Sequence, residues 1–248
     1  MSLNSEIESN LVKEGACLVG FADISQLPAD VRGSMKSGVS IAVVLDASVI
    51  RGISNGPTMD YYQEYGRANK LLSLLCKKTA DTLLKNGNKA LAIEPTVEKL
   101  DFKTLATKLP HKTVATLAGL GWIGKSSLLI TEKYGSAVRL ATVLTDAEFD
   151  VGEPIDSSRC GNCDRCVERC PVMAIVGRNW SAGLEREKIV DAFKCCDNAK
   201  KMSSEIGISA TICGICINAC PWTQKYISHQ RAFRKGYGQR ENQETIDR

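Results

Sequence analysis

Apolar positions along the first half of the chain switch repeatedly between helical and extended spacing. Leu3, Ile7 and Leu11 recur at helical intervals, and the run CLVGFADIS (17–25) that follows reads as a strand and its exit. GVSIAVVLD (38–46) is a continuous apolar, β-branched run, which predicts a strand covered on both faces in the middle of a sheet. Over 60–85, Tyr61, Tyr65, Ala68, Leu72, Leu75, Thr79 and Leu83 fall on one stripe and Asn86-Gly87 supplies a stop, so this is the longest expected helix. Further strands are expected at 89–93, 127–131 and 137–145, with a helix over 111–118 between the first two.

The periodicity stops at residue 146. AEFDVGEPIDSS is acidic, contains Gly and Pro, and carries no repeat, which marks a domain boundary. The expected division is an α/β domain over 1–150, a cysteine-organised module over 151–225, and a basic polar tail over 226–248. Around that tail stand Lys225, Arg231, Arg234, Lys235 and Arg240, which read as a solvated end. The fold class is α+β: a mixed N-terminal domain, then a ferredoxin-like module.

Composition narrows the function. A chain of 248 residues with 44% hydrophobic content can bury a full core. Its 32 basic and 28 acidic residues nearly cancel, so charge alone does not argue for nucleic acid. The start, MSLNSEIESN, lacks the apolar stretch of a signal peptide, and no run of about eighteen uncharged apolar residues follows, so no membrane association and a cytoplasmic location are expected. Eleven cysteines in a reducing compartment point to metal rather than disulfides.

The spacing of those cysteines is specific. Cys160-Gly-Asn-Cys163-Asp-Arg-Cys166-Val-Glu-Arg-Cys170-Pro171 is the spacing of a bacterial ferredoxin half-site. Cys163, Cys166, Cys170 and Pro171 recur fifty residues later as Cys213, Cys216, Cys220 and Pro221, so two 4Fe-4S clusters are expected. The second half lacks a leading cysteine, and either Cys195 or Cys196 must reach in, after a helix expected over 184–194. Crossing the ligands as two-cluster ferredoxins do assigns Cys160, Cys163, Cys166 and Cys220 to one cluster, and Cys170, Cys213, Cys216 and Cys195 (or its neighbour) to the other. A zinc ribbon would leave Cys166, Cys170 and Cys220 without a role. The apolar content of 160–222 is thin, so this module is expected to fold with its clusters. Cys17 and Cys76 sit in apolar patterns as small buried side chains.

Gly119-Leu-Gly121-Trp-Ile-Gly124 spells a dinucleotide fingerprint, but a helical run precedes it and a strand follows, the reverse of what that motif needs. These glycines instead suit a loop that lets backbone approach something flat. His111, Tyr61, Tyr62 and Tyr65 read first as packing residues, with a ligand or pocket role as the sharper alternative.

In order, GLGWIGKSSLLI (119–130), LTD (144–146), CGNCDRCVERCP and CGICINACPW (213–222) resemble epoxyqueuosine reductase and its shorter relatives, the double-cluster iron-sulfur proteins. The resemblance runs over about residues 90–222. It implies an N-terminal domain that binds a corrinoid (cobalamin), whose cobalt is reduced by the clusters and then reduces a small-molecule substrate. It makes Gly121, Trp122, Gly124 and Lys125 the best-matched pocket positions, and it implies an external electron donor of ferredoxin or flavodoxin type. Two departures stand out. KLPHKT (108–113) occupies the place of the family's acidic, TDSAP-like proton-donor segment, leaving Glu94 or Asp101 as substitutes. Only 27 residues follow Pro221, where the family continues into a helical extension that helps hold tRNA, so tRNA is not expected as a partner. The competing class is a ferredoxin-like carrier that docks a partner and has no catalytic pocket. A deep pocket beside one cluster separates the two readings.

Overall fold

The computed structural model describes residues 2–96, 101 and 103–244, with side chains up to Ala232. Strands β1 (Leu18–Asp23), β2 (Ser37–Val44) and β3 (Ala90–Ile93) are followed by a separate hairpin, β4 (Trp122–Ile123) with β5 (Leu129–Ile130), and then by β6 (Val138–Thr145). The main sheet runs β1-β2-β6-β3, so β2 is interior as its apolar run predicts. Every pair in it is antiparallel, which makes the layer α+β.

Both faces of the sheet are covered. Val39, Ile41 and Val43 of β2 and Ala141 and Val143 of β6 join the larger core with α1 (Leu3–Lys13) and α4 (Met59–Lys85). On the opposite face Leu144 packs with Ala22, Ile24 and Val114, the last from α5 (His111–Leu117). Two short helices, α2 (Ala29–Arg32) and α3 (Ala47–Gly52), connect these elements. The long helix starts where the Thr58 hydroxyl accepts from the Tyr61 amide at 3.2 Å and stops at Asn86. Its stripe is as expected except at Tyr65, which is half-buried. Glu64 is buried instead, accepting from the Asp46 amide and paired with Arg67 at 2.6 Å.

Three expectations are corrected. The strand expected at 127–131 shrinks to Leu129–Ile130, because Ser127 sits at φ 60° and turns the chain. The helix expected over 184–194 is displaced: a 3-10 turn occupies Arg186–Lys188, and α7 (Ala192–Glu205) begins only after Asp191, whose side chain caps the Lys194 amide at 3.0 Å. The tail expected from 226 begins as part of α9 (Pro221–Glu244), with Tyr226 and Ile227 buried in the larger core. The side chains of Arg234, Lys235 and Arg240 lie outside the described residues.

The cysteine segment is tied to the N-terminal core rather than hung from it. Two short helices carry cysteines, α6 (Arg165–Glu168) and α8 (Ile215–Ala219), and they pack against each other. Asn218 donates to the Ile50 carbonyl at 2.8 Å, Arg169 to the Ser54 carbonyl at 2.9 Å, and the Tyr226 hydroxyl to the Leu45 carbonyl at 2.9 Å. Ile208 and Ile212 complete the larger core from this side.

Leu72→Ala, at a fully buried site of α4, is expected to cost about 2–5 kcal/mol through lost burial and a residual cavity. Leu74→Ala, on the exposed side of the same helix, is expected to change stability by less than about 0.5 kcal/mol. Denaturant unfolding of the two variants checks the contrast.

Candidate functional site

The crossed cysteine spacing becomes two spatial groups. The Cys166 thiol, on α6, feels Cys160, Cys220 and Cys163. Cys216, on α8, feels Cys195, Cys213 and Cys170, and also Cys166, so the paired short helices bring the two groups together. We refer to Cys160, Cys163, Cys166 and Cys220 as the inner set and to Cys170, Cys195, Cys213 and Cys216 as the outer set. Between Cys195 and Cys196, the geometry of α7 sets Cys195 on the face toward the other thiols. Cys195, Asn198 and Met202 share one face of that helix, and Asn198 Nδ2 and Met202 Sδ each lie 3.9 Å from Cys213 Sγ. Cys196 lies one residue round from that face.

The inner set lines a cavity of about 160 Å³ together with Gly124, Lys125, Ser126, Ile130, Pro221 and Trp222. Among the described residues no group of three or more His, Cys, Asp and Glu side chains closes on a single ion, which would need thiolates at about 2.3 Å from one metal. Thiols spread around a space suit an inorganic cluster that fills it. Two further observations fit such an occupant. Trp122 is fully buried beside Cys160, Cys220 and Trp222, yet its indole N–H has no hydrogen-bond acceptor, a deficit of about 1–3 kcal/mol that a sulfur acceptor would relieve. At Gly124 a Cβ would stand 3.4 Å from Cys160 Sγ and 2.8 Å from Ile130, leaving no room for a side chain in the wall.

Burial is the first cause that raises the thiols here, and the neighbouring thiols add to it. Cys166 is pushed up to about 12 and Cys195 to about 11; Cys216 is raised as well. Ionised thiolates so crowded need cationic charge among them, and binding a metal cluster would release their protons. The amide of Ala174 donates to Cys170 Sγ at 3.3 Å, a bond that strengthens when the sulfur carries charge.

The glycine loop is a partition. On one side Gly124, Lys125 and Ser126 face the inner cysteines, and Lys125, almost fully buried, pairs with Asp164 at 2.7 Å. On the other side Ile123 and Ser127 line a much larger pocket of about 820 Å³. That pocket is walled by apolar residues including Leu27, Leu117, Ile155, Trp180 and Leu184, and by the cations Lys112 and Arg186. Of the four loop positions singled out by sequence, Gly124 and Lys125 thus face the cysteine cavity and none lines the large pocket. Gly121 has a packing reason of its own, since a Cβ there would lie 2.2 Å from the Ile130 carbonyl oxygen. The helix before this loop and the hairpin within it leave no βαβ unit, as the sequence order predicts.

Sequence reading missed Lys112. Its ammonium donates to the Ser127 carbonyl at 2.6 Å and to the Ser127 hydroxyl at 2.9 Å, holding a residue at φ 60° whose backbone conformation is costly for a non-glycine. Burial, with Arg186 nearby, pulls its pKa from 10.5 down to about 8. The only signal was its place in KLPHKT, where an acid was sought. Neither substitute acid reaches the pocket: Glu94 accepts from the Ser73 hydroxyl, and Asp101 caps Lys103 and Thr104. His111 spends both ring nitrogens on packing, 3.0 Å from the Thr142 hydroxyl and 2.9 Å from the Glu94 carbonyl. Tyr61 is core, Tyr62 meets Ser209, and Tyr65 stacks under Arg139 at 4.4 Å. Cys17 and Cys76 are each held protonated by burial, with pKa values near about 12.

Comparison with known proteins agrees with the cysteine reading. Residues 159–223 match the family described as 4Fe-4S double cluster binding domain, which bears out two four-iron clusters. The chain is similar to epoxyqueuosine reductase of Synechocystis sp., 33% identical over 48% of this chain and 41% of the relative, so the match spans less than half of that protein. Its fold is shared with a reductive dehalogenase whose structure suggests a mechanism for B12-dependent dehalogenation (TM-score 0.66, 19% identical, 89% of this chain and 32% of that one). It is also shared with an epoxyqueuosine reductase solved with an epoxyqueuosine-modified tRNA-Tyr stem loop (TM-score 0.56, 19% identical, 90% and 65%). Among the described residues no helix is long and apolar enough to cross a membrane.

Protein prepared without oxygen should carry about eight irons and eight acid-labile sulfides, the content of two cubanes. Cys195→Ser should lose about half of that iron and Cys196→Ser should lose none, read by iron and sulfide analysis. Lys112 gives a pH signature. The unfolded chain holds its proton up to about 10.5 while the folded one releases it near about 8, so the unfolded state binds more protons between these values. The stability of the wild type relative to Lys112→Met should therefore rise as pH increases through that window, measured by denaturant midpoints.

Proposed function

We propose that this chain is an iron-sulfur reductase in which the outer and inner cysteine sets each ligate a 4Fe-4S cluster and pass electrons through the glycine-loop partition to a corrinoid and substrate in the large pocket. The observation that carries this reading is the shared wall: residues 123–127 line the inner cysteine cavity on one side and the large pocket on the other. A carrier without catalysis has no use for a large pocket backed by a redox centre.

The pocket's volume of about 820 Å³ and its half-open, mainly apolar lining, with Lys112, Asp156, Arg186 and Glu187 among it, support a bulky organic group with polar substituents. A bound corrinoid would supply a strongly reducing cobalt centre. The chain's own residues would do the rest. Leu117, Ile155 and Trp180 exclude water, and Ser127, locked by Lys112, keeps the partition thin and fixed. Lys112 Nζ, with a pKa brought down to about 8, holds a proton it can release near neutrality, the role for which the family's acidic segment is absent. A division at about residue 150 and a cytoplasmic location accompany this reading.

The substrate class has a second candidate. A structural neighbour is held with a modified tRNA stem loop, which favours a tRNA substrate over the expectation against it. The two share the same pocket and differ in what must approach its mouth.

Titrating anaerobic protein with cob(II)alamin and following absorbance tests the pocket. Micromolar binding is expected, together with its loss in Ala182→Trp, which fills the pocket wall while iron content stays unchanged. Absence of binding up to millimolar cobalamin would overturn the corrinoid part and leave an electron carrier.

A further inference from the structure

We propose that the buried Lys125 ammonium holds the inner cluster at a higher midpoint potential than the outer one, so that the first electron to enter the pair rests on the side of the large pocket; this rests on the two-cluster reading above. The family resemblance matches Lys125 to a corrinoid pocket, whereas its place in the wall of the cysteine cavity gives it the inner cluster as its neighbour.

Among the described residues Lys125 is the least exposed of the lysines and arginines, at 4%. It is also the one ionic side chain, besides the thiols, in the lining of the inner cavity. Its ammonium meets Asp164 Oδ1 at 2.7 Å, but that carboxylate is half-exposed. A buried charge is costly unless it is fully compensated, and a partner turned largely to water compensates it poorly. Thiolates of the inner set around a cluster would supply the missing negative charge, and an electron added to that cluster would supply more. The ammonium therefore stabilises the reduced cluster over the oxidised one. Reduction adds one electron from the donor to the cluster, and no bond forms or breaks.

The surroundings of the outer set differ in this one respect. Asn198 and Met202, which meet Cys213, are neutral, and the charge that acts on Cys195 is the Asp191 carboxylate, which opposes further negative charge. Backbone donors do not separate the two sets, because each has its own. The Trp222 and Thr223 amides act on Cys220, the Ala174 amide donates to Cys170 Sγ at 3.3 Å, and the Ile215 amide acts on Cys213. Exposed ions of both signs flank both sets along the chain: Arg165 and Arg159, the latter paired with Glu132, at the inner one, and Glu168, Arg169, Lys194 and Asp197 at the outer one. Water and salt screen these surface charges. A buried cation is what the inner set has and the outer set, among the described residues, lacks.

The test is a potentiometric titration of anaerobic holoprotein, with reduced clusters counted by electron paramagnetic resonance at each potential. Two one-electron steps are expected. In Cys195→Ser the higher step should remain and the lower one vanish, which assigns the higher step to the inner cluster. Lys125→Met should move the higher step down by about 59 mV, a tenfold change in the ratio of oxidised to reduced cluster, and leave the lower step in place. Asp164→Asn, which removes the counter-ion of the same ammonium, should move the higher step up, and Lys125→Arg should keep it at the wild-type value. A salt bridge with a merely structural role would not move the two single variants in opposite directions. Where Lys125→Met loses iron, Asp164→Asn decides by the sign of its shift. A change under about threefold in Lys125→Met with its iron intact, a downward or absent shift in Asp164→Asn, or a Cys195→Ser protein that keeps the lower step would overturn the role of Lys125. A wild type without reducible four-iron clusters would instead remove the two-cluster reading beneath it.

Discussion

Eight thiols gathered into two crowded groups are the constraint on which the rest of the structure depends. Burial comes first and mutual repulsion second in pushing Cys166 and Cys195 upward. Ionising these thiols together inside the frame is therefore unfavourable unless a cation stands among them. Short helices such as α6 and α8 bury little by themselves. The frame is rigid because it is borrowed: Asn218, Arg169 and Tyr226 each bond a main-chain carbonyl of residues 45–54, at the end of β2 and around α3. The N-terminal core thus does for the cysteines what their own segment cannot.

The same dependence shapes the glycine loop. Both Gly121 and Gly124 are required by Ile130, the first by its carbonyl oxygen and the second by its side chain, so the loop lies with its backbone close against β5. Ser127 completes it in a strained conformation that Lys112 secures from the pocket side. Close packing on Ile130 leaves no space for a side chain at either glycine. The loop contributes to both cavities, Gly124 to Ser126 on one side and Ile123 with Ser127 on the other.

How much of this was legible in the sequence follows from the range of each signal. The cysteine sets were readable because metal-ligand spacing is local and repeated, and α4 and β2 were readable because their apolar periods are long. The helix carrying Cys195 was misplaced because its start is marked by a single cap, Asp191, within a run that also contains a bridge from Val190 to Ile175. The strand at 127–131 was overcalled because Ser127 gives no hint of a positive φ that only its tertiary partner Lys112 makes tolerable. Lys112 was passed over since a buried lysine without a carboxylate cannot be inferred from neighbours fifteen residues away. The tail was read as solvated because Tyr226 and Ile227 stand in a polar context, and their burial depends on β2 and the larger core.

Position and charge also make the two cysteine sets unequal. The outer set touches the surface through Cys195, while the inner set adjoins the partition and carries Lys125 in its wall. Lys125 is paired with Asp164, yet the two charges do not cancel at the cavity. The lysine side chain is 5% exposed and the aspartate 48%, so water screens the anion far more than the cation. A buried ammonium favours the more negative, reduced form of a neighbouring cluster. Among the described residues the inner set is the one that shares a wall with the large pocket, so on the proposed ligand sets a single buried lysine biases that side of the pair toward holding negative charge.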